Sequence, residues 1–159
     1  MLAEIREVCD PERKSEICNS LLRALPNWFG IEEAIVDYVK KVKDMLFYSA
    51  CIDDRVVGFA ALARHTPHSA EICVMGILES YHRQGIGKEF VRRCEEYCLS
   101  SGREFLTVKT LDESRESRSY EKTRLFYLGA GFKPLEVFPL LWGEDNPCLF
   151  MAKYINGGK

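Results

Sequence analysis

The sequence lacks an excess of basic residues and lacks any long apolar run, and each absence excludes a class of protein. Its 159 residues include 22 Lys or Arg against 24 Asp or Glu, which gives a formal net charge of −2. Nucleic-acid-binding domains usually have a basic face, so this balance argues against one. No run approaches the roughly 20 apolar residues that a membrane span requires. The opening segment MLAEIREVCD contains acids and no apolar stretch, so it is not typical of a signal peptide.

The sequence also lacks the cysteine spacing of a redox pair or a zinc site. Its seven cysteines are an odd number, and none belongs to a CxxC pair. Cys94 and Cys98 lie four residues apart, which places them on one face of a helix. Buried free thiols in a reducing cytosol are the favoured interpretation, so we expect a cytoplasmic protein. A zinc site is the alternative, but its ligand spacings are missing and we predict no metal.

The sequence does contain a regular succession of predicted strands and helices, which we interpret as one domain over residues 1–159. Apolar residues make up 47% of the chain, enough for a core. Asp10-Pro11 is typical of a helix start. The periodicity predicts the order β-α-α-β-β-β-α-β-α-β-β. That order predicts an α/β (α+β) fold with a mixed, mostly antiparallel central sheet of six or seven strands, flanked by about four helices.

A glycine turn, Arg83-Gln84-Gly85-Ile86-Gly87, joins a predicted strand to an amphipathic helix. A helix N-terminus has unpaired N–H groups and a partial positive charge, and glycine lets a ligand approach the backbone closely. Together these features suit a diphosphate, although a tight turn without a ligand is the alternative. Neither a P-loop nor a dinucleotide fingerprint fits, since Glu89 follows Gly87-Lys88 and Phe90 stands at the third glycine position.

Two strings, His82-Arg83-Gln84-Gly85-Ile86-Gly87 and Phe126-Tyr127-x-x-x-Gly131-Phe132, resemble motifs of the GNAT superfamily of N-acetyltransferases. The string His82-Arg83-Gln84-Gly85-Ile86-Gly87 is similar to its acetyl-CoA motif [QR]-x-x-G-x-[GA], with His82 at the position of Arg or Gln. The string Phe126-Tyr127-x-x-x-Gly131-Phe132 is similar to its late FYxxxGF signature. Tyr120 stands where the family's helix often has an asparagine. Because the element order also matches, the resemblance covers essentially the whole chain.

The resemblance implies a GNAT fold and acetyl-CoA as the cofactor, with coenzyme A as the product. It implies direct transfer of the acetyl group to a primary amine within a ternary complex. The amides from His82 through Lys88 would hold the pyrophosphate, and the strand at Ile77 and Leu78 would pair with the pantetheine arm. The candidates for cofactor binding are therefore Ile77, Leu78, His82, Arg83, Gln84, Gly85, Ile86, Gly87 and Lys88.

Glu71 and Tyr127 are the candidates for catalytic proton transfer. Glu71 lies eleven residues before His82, and the resemblance implies a general base at that spacing. The alternative is a surface glutamate at the sheet margin. The resemblance implies that Tyr127 is the general acid at the CoA sulfur, since a phenol with a pKa of about 10 is protonated at neutral pH. The alternative for Tyr127 is core packing.

The backbone near Ile77 is expected to donate to the oxyanion that forms during transfer. Gly76 would ease a bend of the strand there, or it would only avoid a packing clash. His65 ends a predicted strand and could reach the acceptor, although a histidine in that position is more often only solvated.

The acceptor amine is left open by the sequence. The loop of residues 142–147 combines Trp142 with two acids, which suits a cationic amine, although an ordinary turn is the alternative. A small amine, an antibiotic, a polyamine and a protein amine all remain candidates, and a homodimer is plausible from the family. Two other functions remain: a catalytically silent acyl-CoA-binding sensor or interaction module, and a nucleotide-binding domain outside the GNAT superfamily.

Overall fold

A computed structural model describes residues 2–155, and its elements follow the predicted order. The helices are α1 (Pro11–Arg23), α2 (Glu32–Lys41), α3 (Ile86–Ser101) and α4 (Arg118–Gly129). The strands are β1 (Glu4–Glu7), β2 (Leu46–Ile52), β3 (Arg55–Thr66), β4 (Ser69–Ile77), β5 (Phe105–Leu111), β6 (Lys133–Phe138) and β7 (Cys148–Tyr154).

All seven strands form one mixed sheet in the order β1-β2-β3-β4-β5-β7-β6. β4 and β5 run parallel, whereas β1–β2, β2–β3, β5–β7 and β6–β7 are antiparallel pairs. Parallel neighbours need a long crossover connection, which α3 supplies between β4 and β5. The predicted fold class, with a mostly antiparallel sheet and four helices, is therefore confirmed.

Two compact units divide the chain. Unit 1 comprises Met1–Arg64 and Cys73–Cys94, and unit 2 comprises His65–Ile72 and Glu95–Lys159. The predicted single domain over residues 1–159 stays a prediction, and residues 1 and 156–159 at its ends lie outside the described part of the chain.

The core of unit 1 forms where α1 and α2 pack against the sheet. Asp10 caps α1 by accepting a hydrogen bond from the Glu12 N–H at 3.3 Å, and Pro11 occupies the first turn as predicted. The helix ends at Arg23, before Pro26, which cannot donate a helical hydrogen bond. The shared buried side chains are Ile17, Cys18, Leu21, Leu22, Ile35, Val42, Phe47, Phe59, Ala61 and Val74. These helices are therefore packing elements.

In unit 2 the strand register determines which polar side chains meet. β4 pairs Glu71 with Thr107 of β5, and β5 pairs Lys109 with Phe150 of β7. Side chains two residues apart on a strand share a face, and so do directly paired residues. Glu71, Lys109 and Phe150 therefore lie on one face of the sheet.

Candidate active site

The glycine turn places α3 directly after a sharp change in backbone direction in unit 1. The φ angles of Arg83 and Gly85 are 62° and 84°, so both residues are in the left-handed region. A Cβ added to Gly85 would have no atom within 4 Å, so the space beside the turn is open. The Glu89 N–H donates to the Gly85 carbonyl at 3.1 Å and closes the first helical turn. Successive left- and right-handed residues can gather N–H groups into an anion-binding concavity.

Six consecutive amides line this turn. Within residues 2–155, the N–H groups of residues 83–88 have no protein acceptor. The amides at the start of α3 also carry the partial positive charge of the helix N-terminus, which suits a diphosphate. The His82 N–H instead donates to the Glu79 carbonyl at 3.1 Å. The open amides therefore begin at Arg83, one residue later than the predicted set, and their binding of a cofactor stays a prediction.

The His82 side chain links the glycine turn to the end of β4 by a hydrogen bond. Its Nε2 lies 2.7 Å from the Ile77 carbonyl oxygen, which can only accept a hydrogen bond, so Nε2 donates. Its ring also packs edge-on against Trp28, with centroids 5.5 Å apart. The Leu78 N–H donates to the Val57 carbonyl at 2.9 Å. Two backbone groups at Ile77 and Leu78 thus have protein partners already, and the pairing of these residues with pantetheine stays a prediction.

Gly76 of β4 lies close to Leu22 of α1 and to Leu25, which follows that helix. A Cβ there would approach Leu25 Cδ1 to 3.1 Å and Phe59 Cε1 to 3.3 Å. These distances are tighter than ordinary contacts, so the glycine is explained by close packing. The expected bend and the oxyanion donor near Ile77 stay predictions.

Glu71 of unit 2 is a buried carboxylate with two partners. Only 7% of its side chain is exposed. Lys109 Nζ lies 3.2 Å from Oε1 and 3.1 Å from Oε2, and His65 Nε2 lies 2.7 Å from Oε1. The alternative of an exposed surface glutamate is therefore wrong, while the role as a base stays a prediction.

The Lys109 ammonium compensates the buried charge of Glu71, because an unpaired carboxylate in the interior is strongly disfavoured. The Lys109 ammonium also lies 5.9 Å from the centroid of the Phe150 ring. The neighbouring Cys148 is a neutral thiol at pH 7, since burial raises its pKa to about 11. Sequence reasoning missed Lys109 because it is 38 residues from Glu71 and only the β4–β5 register brings the two together.

Tyr127 of unit 2 is 6% exposed and packs among aromatic rings. Its ring centroid lies 5.4 Å from that of Phe126 and 5.4 Å from that of Phe132, both edge-on. Core packing of Tyr127 is thus observed, and the general-acid role stays a prediction. Burial raises the pKa of the nearby helix residue Tyr120 to about 12, so that phenol is also protonated at neutral pH.

The loop that was considered for the acceptor forms a hydrogen-bonded turn. The Gly143 N–H donates to the Leu140 carbonyl and the Asn146 N–H to the Gly143 carbonyl, each at 3.1 Å. The Arg115 guanidinium donates to the Asn146 side-chain oxygen. The turn interpretation is therefore supported, and Trp142 is 38% exposed.

Two general features of residues 2–155 bear on the site. This part of the chain contains no group of three His, Cys, Asp or Glu side chains arranged to hold a metal ion. None of its helices combines the length and the apolar character needed to cross a membrane.

Comparisons with known proteins identify the family. The model of the Acetyltransferase (GNAT) family matches residues 9–124. The uncharacterized N-acetyltransferase YsnE of Bacillus subtilis strain 168 is 30% identical over 110 residues, which are 69% of this chain and 70% of that protein.

Solved structures share the fold. A protein of Desulfovibrio desulfuricans assigned to the GNAT family superposes with a TM-score of 0.80 at 16% identity, over 97% of this chain and 99% of that one. The PaiA N-acetyltransferase of Thermoplasma acidophilum, solved in complex with coenzyme A, has a TM-score of 0.73 at 20% identity, over 97% of this chain and 99% of that one. Since the family model matches well over half of its residues, the chain belongs to the GNAT family of acetyltransferases and is an acyltransferase.

Proposed function

We propose that this enzyme transfers the acetyl group of acetyl-CoA to a primary amine by direct attack within a ternary complex. The row of open amides at residues 83–88 carries the proposal, because a diphosphate is the ligand that such a row suits best. The choice of acetyl-CoA is supported by family membership and by the coenzyme A bound in the structure of the PaiA N-acetyltransferase. The acceptor is a small-molecule amine or a protein amine.

Binding of the cofactor needs contacts along its whole length. We assign the diphosphate to the amides of residues 83–88 and the pantetheine arm to Ile77, at the end of β4, and to Leu78, which follows it. The side chain of His82 supports the turn through the Ile77 carbonyl rather than by contacting phosphate. The open space beside Gly85 leaves room for the diphosphate oxygens.

Two proton transfers accompany the acetyl transfer. The protonated amine must lose a proton before its nitrogen can attack the thioester carbon. We assign the removal of this proton to Glu71 together with the side chains that contact it. The new C–N bond forms as the C–S bond breaks, and Tyr127 donates a proton to the departing thiolate. Attack by the amine itself requires no covalent enzyme intermediate.

We propose that the enzyme is a cytoplasmic protein of one domain that forms a homodimer. No disulfide joins the cysteines within residues 2–155, which supports a reducing compartment and hence the cytoplasm. One GNAT domain over residues 1–159 is supported by the extent of the family match. A homodimer is supported by the edge position of β6, where Leu135 and Val137 are exposed.

Transfer is tested by incubating the enzyme with acetyl-CoA and separate amines: spermidine, tyramine, kanamycin and a lysine-containing peptide. Free coenzyme A is measured with a thiol reagent, and the acetylated product by mass spectrometry. The exposed Cys9 is replaced by serine throughout, so that it does not react with the reagent. We expect product from at least one amine. Coenzyme A binding without any product would instead support the silent acyl-CoA-binding module.

The Tyr127→Phe variant is expected to lower kcat at least tenfold while its Kd for acetyl-CoA stays within twofold. The ring and its packing remain, but the proton for the thiolate is lost, and acid catalysis typically contributes 100-fold or more. Tyr154→Phe is the control, since that tyrosine is 62% exposed on β7. Steady-state kinetics and isothermal titration calorimetry supply the two values. Wild-type turnover in Tyr127→Phe would remove the general-acid role.

A further inference from the structure

We propose that His65, through its Nδ1 atom, takes the proton from the incoming amine, and that Glu71 acts as a positioning residue that holds the imidazole. This role rests on the proposed acetyl transfer. It changes the identity of the base from the buried carboxylate to the more exposed ring beside it.

The hydrogen bond between the two residues selects one tautomer of His65. Glu71 is ion-paired with Lys109 through both oxygens, so it is a carboxylate and can only accept hydrogen bonds. His65 Nε2, at 2.7 Å from Oε1, must therefore carry a proton and donate it. In the neutral imidazole the lone pair is then on Nδ1, so Glu71 orients the ring as the carboxylate of a Ser-His-Asp triad does, with the two ring nitrogens exchanged.

Exposure also favours His65 over Glu71 as the group that meets the substrate. The His65 side chain is 52% exposed, whereas that of Glu71 is 7% exposed. Among the described residues, Nδ1 of His65 has no hydrogen-bond partner. The nitrogen that the carboxylate leaves basic is therefore also the nitrogen without a protein partner.

The charged groups of unit 2 around the pair hold it in place without competing for Nδ1. Lys109 on β5 neutralises the carboxylate, and Cys148 on β7 is a neutral thiol because burial raises its pKa to about 11. Arg103 donates from Nε to the carbonyl of Thr66, the next residue after His65, at 3.0 Å. These contacts limit the freedom of the ring and of the strand that bears it.

The proton balance of the step is complete. His65 Nδ1 accepts a proton from the ammonium and becomes the second N–H of an imidazolium, which Glu71 stabilises. The freed amine attacks the thioester carbon, the C–N bond forms and the C–S bond breaks. The thiolate takes a proton from Tyr127, and Tyr127 recovers one from the acylated nitrogen, which loses its second proton as the amide forms. The imidazolium returns its proton to solvent, so the products are the amide, coenzyme A as its thiol and one proton.

His68 provides a matched control in the same turn. Its Nδ1 lies 2.8 Å from Glu104 Oε1, but the two side chains are 73% and 51% exposed. It is thus a second histidine–glutamate pair that lacks a buried carboxylate and a lysine on both oxygens. His68→Gln should leave kcat/KM within twofold of wild type.

The kinetic test compares His65→Gln, Glu71→Gln and His68→Gln with the amine from the panel above that wild type acetylates fastest. We expect His65→Gln to lower kcat/KM at least tenfold. The rise of kcat/KM with pH that comes from deprotonation of the enzyme's base should disappear, and only the rise that comes from deprotonation of the free amine should remain. Glu71→Gln should have the smaller effect, because an unheld imidazole still accepts protons. Added imidazole should restore part of the rate of His65→Ala, which a purely structural histidine would not show.

Two outcomes would overturn the inference while leaving the proposed function intact. They are an unchanged pH profile in His65→Gln, or a larger loss in Glu71→Gln than in His65→Gln. A wild-type enzyme that acetylates none of the amines counts against the proposed function instead.

The tautomer of His65 can be measured without an acceptor amine, so it tests the inference even if wild type acetylates none of the amines. Long-range ¹H–¹⁵N spectra of the histidine rings should show His65 as the Nε2–H tautomer in wild type and a mixture of tautomers in Glu71→Gln. An Nδ1–H tautomer in wild type would contradict the inference.

Discussion

Replacing Gly85 by aspartate is expected to weaken coenzyme A binding at least 100-fold. Asp and Asn tolerate the left-handed backbone better than other non-glycine residues, and φ at Gly85 is 84°. Nothing lies within 4 Å of a Cβ there, so the turn can accommodate the side chain. Two like charges about 4 Å apart repel by about 4 kcal/mol at an effective dielectric constant near 20, which exceeds a 100-fold change in affinity. Isothermal titration calorimetry with coenzyme A measures the change.

Two variants separate charge from the other effects of this substitution. Gly85→Asn has nearly the same size and the same backbone strain without the charge, so its affinity should fall less than tenfold. Gly102→Asp adds the same charge at the other end of α3, where φ is 75° and a Cβ again has no neighbour within 4 Å. It should bind coenzyme A within twofold of wild type. Equal losses in Gly85→Asp and Gly85→Asn would point to crowding and remove the anion site from the explanation.

Replacing Lys109 by methionine is expected to lower the free energy of unfolding by about 3–5 kcal/mol. The substitution leaves the Glu71 carboxylate buried without its ammonium partner, and only the His65 hydrogen bond remains. Methionine keeps the length of the side chain and its packing against Phe150. Urea unfolding at pH 7, followed by circular dichroism, measures the change.

Removing the charge of Glu71 as well should reverse most of this loss. In the double variant Glu71→Gln/Lys109→Met no unpaired charge is buried, and replacing a whole buried pair is often close to neutral. Lys43→Met removes an exposed pair, in which Lys43 Nζ lies 3.2 Å from Glu12, and should cost less than about 1 kcal/mol. A double variant as unstable as Lys109→Met alone would show that Lys109 stabilises the fold through packing rather than through its charge.

The features that could be predicted from the sequence are those that neighbouring residues determine. Asp10-Pro11 specifies a helix start through its own cap, and the structure has it. The glycine turn and the first turn of α3 follow in the same way from Gly85 and the amphipathic stretch after it. The element order then determined the fold class, because short connections and one crossover leave few arrangements.

The surroundings of the candidate base could not be predicted in this way. Glu71 was singled out by its spacing from His82, but its burial depends on Lys109, which only the β4–β5 register brings to it. Its contact with His65 joins the end of β3 to β4 across a turn whose geometry the sequence leaves open. The hydrogen bond from His82 to the Ile77 carbonyl was missed for a different reason, since the family motif has Arg or Gln at that position.

The amides of residues 83–88 can be observed directly during a titration with coenzyme A. We predict that ¹H–¹⁵N spectra of the enzyme show the largest chemical-shift changes at these six amides. The chemical shift of the Gly102 amide, which donates to the Leu99 carbonyl, should not change. Saturation with coenzyme A that leaves the signals of residues 83–88 unmoved would contradict the proposed binding site.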